Sequence, residues 1–594
     1  MFEVLKRSAM GRLGKWTLEG RELLTPAILW VDTERFPAPP WGDALETRRE
    51  PPVDKIAFTL GGSFFGPAEA RGGIPLPARS GLPPAARDVE LPRDAVRGPL
   101  ALVSSPAQLP PDTPAEAVFL EGGPAHLDRP KEFVRTLVEL RTAMGAARLL
   151  AVPGIAAPHN LALLAYCGVD LVDSSRVAYE TALGTYHTAD GGVPRDTLEE
   201  LPCRCPSCAA GGPLLDHNYH ALWQELAVAR TAIRHGTLRE LAERRAVNDP
   251  WATAVLRELD LRHFEFQELH FPVSDGHVRA YSPASLTRPD VVRFRRFVSG
   301  SYRRPPSARV LLLLPCSARK PYADSRTHRR FREAVEASGN PHAVHEVIVT
   351  SPLGLVPREL ERAYPAAHYD IPVTGDWSRD EATMVVEALR AFLGRNRYDA
   401  IVAHLATEAP IVREAVPDAA FTAEGRTTSE EALKGLTEAL RRTVEGLPRV
   451  AGGLRRLEDV ASLARFQFGD AGEGLVAGAT LRGRWPHVRL FRDGEQVGMA
   501  TDRGAISLTL PGGRFLSERR VACVEIDDFH PQGNVFAVGV IDATPDVRVG
   551  SEVAVVHRGD VRAVGVARMH AREMVELQRG EAVRVRHRAS APKT

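Results

Sequence analysis

Five consecutive apolar residues, Val310-Leu311-Leu312-Leu313-Leu314, run without interruption into Pro315-Cys316-Ser317-Ala318-Arg319-Lys320-Pro321-Tyr322-Ala323-Asp324-Ser325-Arg326-Thr327-His328. A run this short and this apolar, preceded by Pro305-Pro306 and followed by the helix-like segment Arg329–Val335, reads as a buried parallel strand feeding a helix. In open α/β sheets, ligands bind outside the carboxyl ends of such strands. A thiol, an ammonium, a phenol, a carboxylate and an imidazole are therefore delivered together to the place where chemistry is expected. Taken singly, these residues have plainer readings, with Cys316 a small buried hydrophobe, Pro321 a turn former and Ser325 the cap of the helix. Their conjunction in one short loop is what singles the segment out.

At 594 residues the chain is too long for one core, and three or four domains are expected. A hydrophobic share of 44% with 25% charged residues describes an ordinary globular protein. Met1-Phe2-Glu3-Val4-Leu5-Lys6 lacks an apolar secretory core and no apolar stretch is long enough to span a bilayer, so a cytoplasmic location away from membranes is expected. Six cysteines are too few for a disulfide scaffold, and their thiols should stay reduced. The net charge of +1 argues against a uniformly basic nucleic-acid binder. Residues 551–594 nevertheless carry nine Lys/Arg against five Asp/Glu, a local +4 that fits localised RNA contact and equally a solvated surface strand.

Organisation along the chain changes several times. Residues 36–115 are rich in Pro and Gly with little helical periodicity. Lys131–Met144 then spaces Phe133, Leu137 and Leu140 as a helix does, Leu149–Val152 reads as a strand and Asn160–Tyr166 as a helix. Cys203-Arg204-Cys205-Pro206-Ser207-Cys208 has metal-ligand spacing, and residues 219–262 read as helical. After a link over Pro283–Pro306, a compact α/β unit is expected to about Leu447, with strands Val310–Leu314, His345–Thr350 and Ala400–Ala403 and helices Asp380–Leu393 and Ser429–Val444. On a parallel sheet, the loops Ser351–Glu359 and Tyr369–Trp377 both face Cys316. This makes Glu359 and Asp370 candidate substrate-binding residues, beside Ser317 and Ser325 of the first loop. From 448 to 515 short strands with glycine turns suggest a small spacer. Beyond it Val524–Phe529, Asn534–Val540, Gly550–Val556 and Ala563–Val566 read as repeated strands.

The loop's spacing, Pro315-Cys316, Lys320-Pro321-Tyr322, Ser325 and His328, is similar to the signature of the archaeosine synthase family, and the resemblance extends over nearly the whole chain. Phe2-Glu3-Val4, Gly20–Ala27 and His235–Arg244 resemble parts of the tRNA-guanine transglycosylase barrel. Gly168–Ser175 resembles the strand presenting that enzyme's nucleophile, a match that puts Asp173 in the nucleophile position. The second acid of base exchange should lie on an early Asp-Ser-Gly turn, where this chain has Gly61-Gly62-Ser63-Phe64-Phe65. Base exchange needs a carboxylate nucleophile and a second acid. The resemblance thus implies a barrel that binds a modified nucleoside without exchanging it, with Asp173 a recognition or relic residue. It also implies a structural zinc held by Cys203, Cys205, Cys208 and His217, the last preferred over His220 and His235 because His217-Asn218 matches the family's pattern. Three thiolates and one imidazole leave no open coordination position. The C-terminal strands resemble a PUA domain. The implied architecture is multidomain α/β and β. A degenerate TIM-like transglycosylase barrel with its zinc site spans 1–275, a central α/β catalytic domain 280–447, a small α+β spacer 448–515 and a PUA β-barrel 516–592.

The family acts on tRNA carrying 7-cyano-7-deazaguanine in the D arm, joining free lysine to the nitrile as an amidine-linked adduct that a radical-SAM partner enzyme then cleaves. Attack on a nitrile carbon builds charge on nitrogen that must be protonated. In one route Cys316 attacks to give a thioimidate that the lysine amine displaces, Lys320 favours the thiolate, and Tyr322 or His328 protonates the nitrogen. In the other the amine attacks directly, with Asp324 or His328 as base. Two other classes remain open: a transglycosylase inserting a deazaguanine base, and a non-catalytic tRNA-binding adaptor built on zinc and PUA modules. The sequence leaves monomer and homodimer equally open.

Overall fold

Strand β1 (Phe2–Ser8), β2 (Gly11–Leu18) and β3 (Arg21–Thr25) form an antiparallel meander that buries Phe2, Val4, Leu13 and Trp16. The structure, a computed structural model, describes residues 2–47, 52, 54–59, 74–75, 96–97, 100–103, 105–109, 114–274, 276–372, 374–484 and 487–590. It divides into two compact units, Met1–Phe271 with Val575–Gly580, and Pro272–Met574 with Glu581–Thr594.

In the first unit, the meander leads into β4 (Ala27–Asp32), β5 (Ala44–Thr47), β6 (Ile56–Thr59), β7 (Ile74–Pro75), β8 (Val96–Arg97), β9 (Leu100–Val103), β10 (Ala117–Leu120), β11 (Leu149–Ala151) and β12 (Leu171–Asp173). Their spatial order is β7-β6-β5-β4-β12-β11-β10-β9-β8, parallel throughout except at the β8–β9 edge. Placing β12 beside β4 is the adjacency that a curling βα array produces, and the result is a curled parallel half-barrel. Helices α1 (Pro130–Met144), α2 (Pro158–Tyr166) and α3 (Ser175–Ala182) follow β10, β11 and β12. Phe133, Leu137 and Leu140 of α1 are buried, as their spacing predicts. Among the described residues no α-helix lies between β4 and β10. Gly61–Phe65, where the second exchange acid was sought, lies outside the described residues.

The unit continues through the hairpin β13 (Thr185–Thr188) and β14 (Gly191–Pro194) to α4 (Pro206–Ala210), α5 (Leu214–His235), α6 (Leu238–Ala246), α7 (Pro250–Arg262) and α8 (Phe264–Glu268). Two buried ion networks fix it. Arg12 meets Asp170 at 2.6 Å and Arg141 meets the same carboxylate, while Arg239 meets Asp260 at 2.6 Å and Glu243 at 2.8 Å. Removing one partner of such a pair strands a buried charge, at a cost of about 3–5 kcal/mol.

The second unit is built on β15 (Val278–Arg279), α9 (Pro289–Gly300), β16 (Val310–Pro315), α10 (Arg326–Glu336), β17 (Val344–Thr350), β18 (Gly354–Pro357), β19 (Tyr369–Asp370), α11 (Arg379–Arg395), β20 (Ala400–Ala403), α12 (Ala409–Ala415), β21 (Ala420–Phe421) and α13 (Glu430–Val444). The sheet order is β18-β17-β16-β20-β21, with β16 central and fully buried. Val310, Leu312 and Leu314 project from β16 into a cluster with Phe331 and Val335 of α10 and Leu436, Leu440 and Val444 of α13. The sheet is parallel except for β18, which folds back antiparallel on β17. Gly354 opens that return at φ +74°, where a Cβ would lie 3.2 Å from Ala388 and Met384.

Beyond Pro448, where the strands with glycine turns were the visible signal in the sequence, the chain first forms α14 (Gly452–Val476), bent at Gly469 with φ +62°. Its five glycines disguised the helical period. An antiparallel sheet follows, β22 (Thr480–Arg484), β23 (His487–Arg492), β24 (Glu495–Ala500) and β25 (Ile506–Leu508), then α15 (Leu510–Ser517). The C-terminal sheet comprises β26 (Cys523–Ile526), β27 (Val535–Phe536), β28 (Val540–Ala543), β29 (Glu552–His557), β30 (Asp560–Ala567) and β31 (Glu581–Arg588), in the order β27-β31-β30-β29-β26-β28, with α16 (Ala571–Glu576) between β30 and β31. Among the described residues no helix is long and apolar enough to cross a membrane.

Candidate active site and metal centre

Cys316 leaves β16 at its carboxyl end, one residue past the Pro315–Val349 pair, so the register sets it beside Thr350 at the end of β17. The thiol is half-buried, and the Thr350 hydroxyl hydrogen-bonds to it. From Thr350 a chain of buried hydroxyls continues, with Thr350 Oγ1 2.6 Å from the Tyr369 hydroxyl and that group 2.6 Å from the Tyr322 hydroxyl. Lys320 places Nζ 3.9 Å from the centre of the Tyr369 ring, a cation–π contact. The motif's lysine and tyrosine thus converge on the thiol through Tyr369, a residue of the two-stranded ribbon β15–β19 rather than of the main sheet.

Electrostatics assign the resting protonation states. Burial pushes the Cys316 thiol above its ordinary value and the Glu408 carboxylate adds to the effect, while Thr350 and Lys320 pull against them. Cys316 accordingly rests as a thiol: Lys320 favours the thiolate as expected, but desolvation outweighs its charge. Burial lowers Lys320, with Cys316 and Asp370 opposing. Tyr322 and Tyr369 are both raised, mainly by burial. Tyr322 is wholly buried with its hydroxyl engaged by Tyr369, so it reaches the thiol only through the hydroxyl chain.

His328 does not suit the proton-transfer role expected of it. Its ring is fully buried, Arg358 donates to Nδ1 at 2.9 Å, and Nε2 is buried without a hydrogen-bond partner. Burial, then the Arg358 charge, hold it neutral with its pKa driven down to about 2. Arg358 also meets Glu346 at 2.5 Å and Glu361 at 2.7 Å, and Glu361 accepts the Ala323 N–H at 3.0 Å. His328 therefore belongs to a clamp that fixes the motif loop. Asp324 likewise faces outward, paired with Arg362 at 3.2 Å. Ser325 spends its hydroxyl accepting the His328 N–H at 3.1 Å as the N-cap of α10. Ser317 bonds the Arg319 carbonyl at 2.8 Å, and the exposed Asp370 meets His277 at 2.8 Å beside Lys320.

Glu359 is removed from the site by the β17–β18 return. Leu311 pairs with His345 and Val347 with Pro357, so Glu359 lies near His345, at the far end of the strands from Cys316. There its carboxylate accepts the Tyr302 hydroxyl and faces His345 at 3.5 Å. Conversely, Thr350, Tyr369 and Glu408 belong to the Cys316 environment and were not expected as site residues. Thr350 ends β17 and Glu408 follows β20, and that position at the ends of neighbouring strands is the one signal that could have found them.

In the first unit Cys203, Cys205, Cys208 and His217 bring one donor atom each to within 4.8 Å of one another. His217 Nε2 donates to the His187 carbonyl at 2.9 Å, leaving Nδ1 toward Cys208 Sγ at 3.2 Å and Cys205 Sγ at 3.6 Å. The Cys205 and Cys208 amides point at the sulfurs of Cys203 and Cys205. The tautomer fixed by His187 and the three free thiols fit a metal ion with closed coordination. His220 instead stacks on Trp41 at 4.2 Å. Asp173, at the carboxyl end of β12, accepts from the Gly154 amide and from Ser175, while its Oδ2 is buried without a hydrogen-bond partner. Burial raises its pKa to about 6.

Two family models match, a domain of unknown function (DUF5591) over residues 291–440 and the PUA domain over 529–589. The archaeosine synthase of Haloferax volcanii is 38% identical over 80% of this chain and 83% of its own length. The archaeosine synthase subunit alpha of Thermoplasma acidophilum is 34% identical over 79% of this chain and 87% of its own. A tRNA-guanine(15) transglycosylase of Methanothermobacter thermautotrophicus is 25% identical over 77% of this chain and 69% of its own. With a half-barrel, a cysteine-histidine centre, a Cys316 site at a sheet edge and a PUA domain following one another in this order, the chain belongs to the archaeosine synthase family.

Proposed function

We propose that the protein is a cytoplasmic tRNA-modifying transferase of archaeosine biosynthesis. It joins free lysine to the nitrile of 7-cyano-7-deazaguanine at position 15 of tRNA, and a radical-SAM partner enzyme cleaves the adduct. The observation that carries the reading is the Cys316 thiol at the carboxyl edge of the central strand, flanked by Lys320, Thr350 and the Tyr369–Tyr322 pair. A thiol is the strongest nucleophile among these groups and a nitrile carbon its matching electrophile. The covalent route is favoured over direct attack because both bases considered for the latter are engaged, Asp324 by Arg362 and His328 by Arg358. The ion at Cys203, Cys205, Cys208 and His217 is proposed to be a structural zinc, and the PUA domain to hold the tRNA. Asp173, with its free buried oxygen, is proposed to contact the nucleoside.

Incubating nitrile-bearing tRNA with isotopic lysine tests the reading directly. Label should enter the tRNA with the wild-type protein and not with Cys316→Ser. Near-normal transfer by Cys316→Ser would remove the covalent step. Incorporation of labelled free deazaguanine base into unmodified tRNA would favour transglycosylation instead.

A further inference from the structure

The small sheet β22–β25 carries a surface that the chemistry at Cys316 does not use. Its first two strands pair antiparallel in unbroken register, with Arg482 opposite Arg489 and Arg484 opposite His487. Val488 and Leu490 of β23 are buried, so the alternate residues His487 and Arg489, and Arg482 and Arg484 across from them, lie on the outer face, where all four are exposed. Neither strand contains an Asp or Glu. Among the described residues none of these three arginines has an ion-pair partner. Arg482 instead lays its guanidinium over the Phe491 ring, 4.5 Å from the centroid. Like charges directly opposite one another destabilise a strand pair. Charge on β22 has a plain use, since this strand is the edge of its sheet and charge there blocks pairing with another chain. Arg482 and Arg484 meet that use alone, and an acid opposite them would add stability, so Arg489 on the inner strand needs another reason.

We propose that the outer face of the β22–β23 ribbon binds the phosphate backbone of tRNA, as a contact separate from the C-terminal sheet. The identity of the partner rests on the tRNA-modifying reading. Residues two apart on one strand stand about 6.7 Å from each other, and directly opposite residues about 5 Å. Arg482, Arg484 and Arg489 therefore form a compact triangle of guanidinium groups that successive phosphates of one strand can meet. A guanidinium is planar and offers paired N–H donors to phosphate oxygens, and the Phe491 ring holds one of the three in place before the ligand arrives. An acidic protein or an anionic membrane fits less well. A protein interface has an apolar centre depleted of charge, and membrane-surface segments add apolar side chains that enter the acyl boundary. On this face the one large apolar side chain, Phe491, is only partly exposed. The sheet is also joined to the C-terminal sheet: Leu508 N–H of β25 donates to Glu552 at 3.0 Å, and the same carboxylate pairs with Arg586 of β31.

The test measures binding of the full-length protein to a tRNA transcript by filter retention over a series of salt concentrations, with no lysine present. Each phosphate contact contributes about 0.7–0.9 to the slope of log affinity against log salt, through released counterions. Arg482→Gln with Arg489→Gln should lower that slope by roughly 1.4–1.8 and raise the dissociation constant about tenfold at physiological salt. The thermal midpoint without RNA should hold or rise, because the variant removes a like-charge pair. A slope and an affinity equal to wild type overturn the proposal. Affinity lost with the slope unchanged overturns it too, since that marks a structural effect rather than lost phosphate contacts. Should the double variant not fold, Arg484→Gln carries the test: a slope lower by roughly 0.7–0.9 supports the proposal and an unchanged slope overturns it. Phosphatidylglycerol vesicles held by the wild type and released by the variant, with the tRNA slope unchanged, would assign the face to a membrane and overturn the RNA contact. A wild-type protein that binds tRNA but transfers no lysine would defeat the lysine-transfer reading while leaving this contact measurable.

Discussion

At the scale of single residues, the site shows how burial and charge compete over one sulfur. Lys320 is the group that should make Cys316 reactive, yet it stands against desolvation and Glu408, so its influence is a correction to an already raised pKa. Removing an ammonium within a few ångströms of a thiol typically raises its pKa by about one unit, or about 1.4 kcal/mol. Lys320→Met should accordingly move Cys316 alkylation about one pH unit higher. Lysine transfer should fall at neutral pH and partly recover as pH rises. An unchanged alkylation profile with weakened tRNA binding would reassign Lys320 to phosphate contact.

At the scale of elements, the strand–loop–helix that carries Cys316 was legible in sequence because its signals are local: an apolar run for β16, and Ser325 three residues before His328 for the cap of α10. What was not legible depends on pairing between distant segments. Nothing in Ser351–Pro357 announces that it turns back antiparallel on β17, and that return is what carries Glu359 away from Cys316 and Arg358 onto His328. Glu408 is a lone acid in a loop until β20 is known to lie beside β16. Two consequences can be measured. Ser325→Ala should cost about 1 kcal/mol through loss of the helix cap, read as a lower denaturant midpoint. His328 gives the second. It is neutral in the fold down to about pH 2 but binds a proton in the unfolded chain near its ordinary 6.5. The unfolded state therefore holds more protons between these values, and His328's share of stability is complete above 6.5 and declines as pH falls. Between pH 7.0 and 5.5 that share should drop by about 1.2 kcal/mol. Comparison of wild type with His328→Gln, which keeps an acceptor for Arg358, should recover that difference. Equal pH slopes for the two proteins would show that His328 is exposed to protonation in the fold.

At the scale of the whole molecule, the domains separate roles that can be perturbed one at a time. The four residues that could hold a metal ion are drawn from α4, its approach and α5, so the proposed metal binding and the folding of this region should be coupled. Cys205→Ala should lose one equivalent of metal by elemental analysis and lower the thermal midpoint, with Cys316 alkylation unaffected. A well-folded, metal-free and inactive variant would contradict a structural role. The last β-strand makes the complementary case for RNA. Arg584, Arg586 and Arg588 lie along β31, where a one-residue register shift between Val585 and His587 breaks the alternation and sets Arg584 and Arg588 on opposite faces. Arg586 is committed to Glu552, whereas Arg584 is an exposed residue whose pair with Glu581 is worth little in water, and Arg588 reaches the Gln532 carbonyl from an exposed position. These two are the cations free to exchange their partners for phosphates. Each phosphate contact adds about 0.9 to the slope of log affinity against log salt, through released counterions. Arg584→Glu with Arg588→Glu should therefore reduce that slope by roughly 1.8 and raise the half-saturating tRNA concentration, while the rate at saturating tRNA stays near wild type because phosphate contacts position without reacting. Unchanged affinity and slope at physiological salt would show that the RNA is held without Arg584 and Arg588 of β31.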